Sequence, residues 1–130
     1  MLSFMNTDNV TTILGDSPRV FRQRSPGVEM CVLRVHPGGG LTFLIRMLAG
    51  ARAERHGHPG GEEMYVLSGK LLIDQRVDAA GKAVPDAAAA VNEYFFAPPG
   101  EIHEPHVEED TTFLVVAPGG VVSAKTRSRE

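Results

Sequence analysis

The sequence predicts an all-β chain, folded as a barrel or a sandwich. Three observations predict it. The apolar segments are short; 14 glycines and 9 prolines punctuate the chain between them; and Leu41–Leu48 and Phe113–Val116 are continuous apolar runs, as in strands covered on both faces.

The expected elements follow in chain order. Thr12–Leu14 and Arg19–Gln23 are short strands in an N-terminal arm, residues 1–25. Val28–Val35 is an apolar strand containing the single cysteine, Cys31, expected as a buried structural thiol. His36-Pro-Gly-Gly-Gly40 is a turn, because proline fixes φ and glycine permits positive φ, so His36 is expected to be a solvated loop residue. Leu41–Leu48 and Glu54–His56 come next, then Glu63–Leu67 and Lys70–Val77 on either side of Ser68-Gly69. Asp78 to Val91 is long for a connection and ends in four alanines, which suggest one helical turn in a lid or a surface insertion. Glu93–Ala97 is an aromatic strand, Pro98-Pro-Gly100 turns the chain, and Ile102–Val107, Thr112–Ala117 and Val121–Ser123 complete the set. The polar tail 124–130 is expected to fray. Residues 1–130 thus read as one domain, large enough to bury its own core.

Composition narrows the function classes. A net charge of −3 gives no nucleic-acid footprint. One cysteine excludes an intramolecular disulfide framework and suits a reducing compartment, so we expect a cytoplasmic location. No stretch has membrane-spanning length, and the N-terminus lacks the basic-then-apolar pattern of a signal peptide. The expected partner is a small-molecule substrate, with no nucleic acid and no membrane. The N-terminal strands, adding to a neighbour's sheet, suggest a homodimer.

The chemistry concentrates in His56-Gly-His58-Pro-Gly-Gly-Glu62-Glu63. Residues two apart on a strand share a face, so His56 and His58 can aim at one point. Glu62 keeps that parity if the Pro-Gly-Gly turn preserves the register. Two imidazoles and a carboxylate converging from a strand suit a divalent transition metal with open positions. A third histidine, His103, follows the Pro98-Pro-Gly100 turn.

These two segments resemble the paired motifs of the cupin superfamily. The first, G(x)5HxH(x)3–4E(x)6G, is met by Gly50, His56, His58, Glu62 and Gly69. The second, G(x)5PxG(x)2H(x)3N, is met by Pro98, Gly100 and His103, with Asn92 in place of the leading glycine and Val107 in place of the final asparagine. Within the superfamily the chain is similar to the cupin domain of ChrR-type anti-sigma factors and to related small dioxygenases, from Pro26-Gly-Val-Glu29 through Phe113-Leu-Val-Val116. The features carrying that likeness are Leu41-Thr-Phe-Leu-Ile-Arg46, Gly61-Glu62-Glu63, Val66-Leu67-Ser68-Gly69 and Pro98-Pro-Gly-Glu-Ile-His103.

The resemblance implies a double-stranded β-helix, the cupin jelly-roll barrel, with His56, His58, Glu62 and His103 as metal ligands. It implies one divalent ion, Fe(II) or Zn first and Mn or Ni as further options. The activity it suggests is a non-haem Fe(II) dioxygenase acting on a diketone-like or aromatic ketone substrate. A non-enzymatic zinc-binding sensor or regulatory module, and a metal-dependent isomerase or decarboxylase, use the same ligands. Glu63 is an alternative carboxylate under the four-residue spacing, although the onward spacing to Gly69 favours Glu62.

Other residues compete for roles. Arg46 interrupts an apolar run and must be paired or solvated, either by an anionic substrate in the barrel or by an acidic neighbour. Met64 shares the parity of Glu62 and is expected to line the cavity, with Tyr65 facing away. His106, three positions beyond His103, is expected at the rim rather than in the ligand set. Glu101, Glu104, Glu108, Glu109 and Asp110 read as a solvated acidic edge near the barrel mouth.

Overall fold

The computed structural model describes residues 11–123. The elements in chain order are β1 (Arg22–Ser25), β2 (Val28–Val35), a short 3-10 turn at Pro37–Gly39, β3 (Leu41–Met47), β4 (His56–Gly57), β5 (Glu62–Ser68), β6 (Lys70–Val77), β7 (Ala87–Ala90), β8 (Tyr94–Ala97), β9 (Ile102–His106), β10 (Thr111–Ala117) and β11 (Val122–Ser123). The expected tail 124–130 lies outside the described residues.

The strands form two antiparallel sheets, as in a cupin jelly roll. One has the order β1-β2-β3-β10-β5-β8, the other β11-β4-β9-β6-β7. Alternation along β5 and β10 turns Met64, Val66, Phe113, Val115 and Ala117 inward, where they meet Phe43, Met47, Leu71, Ile73 and Ala89. The two long apolar runs are not equally covered on both faces, as the sequence suggested. Phe43, Met47, Phe113 and Val115 are buried, whereas Leu44, Leu114 and Val116 on the outer face are half-buried. Cys31 is buried and free.

Three expectations need correction. Thr12–Leu14 is not a strand: Ile13 and Leu14 are exposed, and the Arg19 guanidinium bonds the carbonyls of Leu14, Gly15 and Ser17, holding this stretch as a loop. The second strand of the arm accordingly starts only at Arg22, three residues later than expected from its pattern. The four alanines form no helical turn. They are β7, pairing residue for residue with Lys70–Ile73 of β6 and burying Ala89 against the core. A waiting sheet edge outweighs the helix preference of alanine. The remaining connection closes on itself, with Asp78 Oδ1 accepting from the Ala80 and Lys82 amides.

Turn geometry explains one departure from the paired motifs. Asn92, in place of the leading glycine, has φ +67. That left-handed conformation suits glycine and, among side-chain-bearing residues, asparagine best. Its amide bonds the Val66 carbonyl at 2.9 Å while the Val66 amide bonds the Glu93 carbonyl at 3.2 Å, so the turn is locked onto β5.

Candidate metal centre

The site is assembled from both sheets. His56, on the two-residue strand β4, is the direct antiparallel partner of His103 on β9. His58 follows β4. The Pro59-Gly60-Gly61 turn, closed by a 3.0 Å bond from the Gly61 amide to the His58 carbonyl, then carries the chain across to the other sheet. Glu62 is the first residue of β5. It therefore reaches the histidines by crossing between sheets, not by keeping their parity along one strand.

One ligand atom from each of His56, His58, Glu62 and His103 lies within 4.8 Å of the others. Two ligands on opposite sides of an ion with bonds of about 2.1 Å stand about 4.2 Å apart, so the cluster is close to the dimensions of a first coordination sphere. His58, Glu62 and His103 are buried, and His56 is partly open.

Hydrogen bonding decides which nitrogen each ring presents. His56 Nδ1 lies 2.7 Å from the Glu54 carbonyl, His58 Nδ1 3.2 Å from the Gly120 carbonyl, and His103 Nδ1 2.9 Å from the Glu101 carboxylate. Carbonyls and carboxylates only accept, so each Nδ1 carries the proton and donates. The lone pair of each neutral ring is then on Nε2. His58 Nε2 and His103 Nε2 approach Glu62 at 2.7 and 3.1 Å, where in the neutral rings a lone pair, not an N–H, meets the carboxylate. His58 Nε2, His103 Nε2 and Glu62 Oε1 are consequently buried without a hydrogen-bond partner. Buried polar atoms are otherwise nearly always satisfied. Three imidazole nitrogens and a carboxylate, two of those nitrogens and one oxygen orphaned, fit a divalent transition ion.

The electrostatics are those of a compact charged cluster. Burial pushes His56 down to about 4, with His103 adding to the shift. Burial would raise Glu62, but the imidazoles of His103 and His58 outweigh it and hold the carboxyl at about 2. Burial likewise opposes a charge on His103, but Glu101 and Glu62 overcome it and raise the ring to about 9.

The cluster opens onto a cavity of ≈ 240 Å³, whose wall includes His56, His58 and Glu62 beside Phe43, Met47, Phe113 and Val115, with Arg24 and Glu54 among the polar lining residues. His103 is fully buried behind them.

The other candidate residues lie elsewhere. Arg46 is not on the cavity wall. Its alternation along β3 is opposite to that of Phe43 and Met47, and it bonds Glu29 at 2.8 Å with its guanidinium 4.1 Å from the Phe21 ring centre. Of the two readings of this arginine, the acidic-neighbour one describes its contacts. Met64 does share the inward parity of Glu62, but it packs in the core instead of lining the cavity. Tyr65 faces outward, and Glu63 is exposed, accepting from the Tyr94 hydroxyl at 2.7 Å. His36 is half-buried, with Nε2 2.6 Å from Thr42 Oγ1. His106 is outside the cluster, its Nδ1 3.6 Å from Asp74. No residue of the 78–91 segment is on the cavity wall.

Glu101 is the functional-site residue the sequence reading missed. It is not part of a solvated edge: it is 3% exposed, accepts from His103, and takes a forked pair of bonds from Arg76 at 2.9 and 3.1 Å. The Glu-x-His spacing was the available signal, since residues two apart on an extended chain share a face.

Two antiparallel sheets closing around a cluster of three histidines and one glutamate that can hold one metal ion define a cupin. The family model for the ChrR cupin-like domain matches residues 15–122, and the chain belongs to that family. Solved structures agree in fold. An RmlC-like cupin from Shewanella frigidimarina is 18% identical, with a TM-score of 0.62 over 77% of this chain and 84% of that one. Bacillus subtilis oxalate decarboxylase, described with Mn(II) centres, is 20% identical, with a TM-score of 0.62 over 76% of this chain and 28% of its own. A chain of the Rhodobacter sphaeroides SigE complex with the anti-sigma ChrR is 21% identical, with a TM-score of 0.60 over 75% of this chain and 47% of its own. No curated protein matches the chain in sequence. Among the described residues, no helix is long and apolar enough to cross a membrane.

Proposed function

We propose that this chain is a metal-dependent enzyme acting on a small, largely apolar molecule with oxygen donors. The observation that carries the reading is the shared wall: His56, His58 and Glu62 face the same cavity as Phe43, Met47, Phe113 and Val115. A purely structural metal is enclosed by its protein ligands, whereas a catalytic one keeps a side open to substrate. His56, His58, Glu62 and His103 would hold the ion. When bound, it supplies Lewis acidity and a template for oxygen donors, and iron(II) would add dioxygen chemistry. The chain's own residues do the rest. Nδ1 bonds to Glu54, Gly120 and Glu101 keep the three rings in the ligating tautomer. The apolar wall excludes water and selects an apolar body.

Within that class we favour a non-haem Fe(II) dioxygenase of diketone-like or aromatic ketone substrates. Metal analysis of protein purified without chelator, followed by oxygen uptake with β-diketones and hydroxyaryl ketones, tests it. Iron content with uptake on at least one of these substrates is expected; absence of uptake by fully iron-loaded protein across the panel would overturn it. The second reading, a zinc-binding regulatory module, draws on membership of the ChrR cupin-like family. Tightly held zinc, no turnover and retention by a sigma-factor partner would favour it.

A further inference from the structure

The geometry points to Glu101 as the residue that positions His103, with Arg76 tying the β6–β7 connection to that setting. The inference rests on the metal centre proposed above. Glu101 follows the Pro98-Pro-Gly100 turn, its amide bonding the Pro98 carbonyl at 3.1 Å, and stands two residues before His103. Its carboxylate is buried and fully committed. Oε2 accepts from His103 Nδ1 at 2.9 Å and from Arg76 Nε at 3.1 Å, and Oε1 accepts from Arg76 Nη2 at 2.9 Å. A buried charge of this kind persists only when paired, and the planar guanidinium fork satisfies both oxygens at once.

Arg76 reaches this position through a backbone irregularity. Asp74, two residues earlier, bonds Arg52 instead. Between them β6 shifts register against β9, and Gln75 takes φ +52. Such a bulge re-aims the side chain that follows it. The remaining donor, Arg76 Nη1, bonds the Pro85 carbonyl at 2.7 Å. The same connection also packs on the turn ahead of Glu101: a Cβ on Gly100 would stand 2.8 Å from Ala79 Cβ. A continuous path therefore runs from Pro85 through Arg76 and Glu101 to the imidazole of His103. It selects the nitrogen that faces the cluster and holds the ring plane, so the affinity and ligand field of the ion depend on it.

Cobalt(II) reports this directly. Binding affinity and the visible absorption of the cobalt-loaded chain are compared for wild type, Glu101→Ala, Glu101→Gln, Arg76→Met and His103→Ala, with circular dichroism as a check on folding. Glu101→Ala is expected to weaken cobalt binding about 10- to 100-fold and to shift the absorption bands. Glu101→Gln retains an acceptor for Nδ1 and should lose less, and Arg76→Met should shift the bands in the same direction. If Glu101→Ala does not fold, the isosteric glutamine variant carries the comparison. Folded Glu101 variants that match the wild type in affinity and spectrum would overturn the positioning role, while a His103→Ala chain that still holds cobalt at wild-type affinity would overturn the metal centre itself.

Discussion

His56 and His103 face each other as direct cross-strand partners on β4 and β9, with ring centres 5.0 Å apart and planes at 89°. This pair, with Gly57 opposite Ile102, joins the two histidine-bearing segments of the sequence. Because both Nδ1 atoms are held by acceptors behind the rings, the perpendicular rings bring their Nε2 atoms toward Glu62 and His58. His56→Ala and His103→Ala should each abolish stoichiometric metal binding, measured by elemental analysis after dialysis. His36→Ala should leave the stoichiometry unchanged, since His36 bonds Thr42 outside the cluster. Equal effects of all three would remove the constellation.

In the metal-free protein the contribution of the His–Glu cluster to stability should peak near pH 6.5. Glu62, held at about 2, contributes stability that is present above its ordinary 4.5 and lost as pH falls through 2. His56, pushed down to about 4 by burial, contributes stability present above 6.5 and lost as pH falls through 4. His103 has the opposite sign. Raised to about 9, its contribution is full below 6.5 and lost as pH rises through 9. Each limb should slope by about one proton, ~1.4 kcal/mol per pH unit. Urea unfolding across pH in the presence of chelator measures it. Saturating metal should flatten the alkaline limb, because the ion replaces the proton on His103 Nε2. A flat alkaline limb without metal would contradict the charge assigned to His103.

Motif glycines should differ in cost according to what surrounds them. Gly69 has φ +80, and a Cβ there would lie 2.3 Å from the Asp110 carbonyl oxygen and 2.4 Å from Thr111 Oγ1. Gly50 has φ +85 with nothing within 4 Å. Gly50→Ala should therefore cost only the backbone strain, about 1–2 kcal/mol, and Gly69→Ala distinctly more, about 3 kcal/mol or above. Asn92→Gly relaxes a left-handed residue and should change stability by less than about 1 kcal/mol. Chelator-treated urea curves rank the three, and equal losses at Gly50 and Gly69 would contradict the close approach.

The sequence was legible where spacing reflects backbone geometry. β2 and β6 run over the expected residues, and of the four candidate ligands His56 and the post-turn His103 meet because they lie on paired strands, with His58 just beyond β4; Glu62 joins them from the other sheet. It was less legible where a long-range partner decides. Ala87–Ala90 became a strand because β6 offered an edge, and Thr12–Leu14 stayed a loop because Arg19 bonds the Leu14 and Gly15 carbonyls. Glu101 was obscured by the acidic residues around it: its bonds to His103 and to Arg76, re-aimed by the bulge at Gln75, distinguish its buried carboxylate from the exposed Glu108 and Glu109. Arg46 and Arg76 look alike in the sequence, yet one contacts Glu29 away from the cavity and the other reaches the acid that holds His103.

The adjacent carboxylates Glu62 and Glu63 should separate cleanly. Glu62 begins β5 facing the histidines and is buried, with Oε2 2.7 Å from His58 Nε2 and Oε1 3.1 Å from His103 Nε2. Glu63 has the opposite parity and meets the Tyr94 hydroxyl on the exposed side of the sheet. Glu62→Gln keeps the shape but removes the charge, so metal affinity should fall by at least about tenfold. In the absence of metal the same substitution leaves His103 with Glu101 as its remaining carboxylate contact, so its raised ionisation should move back toward 6.5. Glu63→Gln should alter neither quantity. Calorimetric metal titration and the histidine NMR titration of the metal-free variants provide independent readings, and a Glu63→Gln protein that loses metal while Glu62→Gln retains it would reverse the assignment.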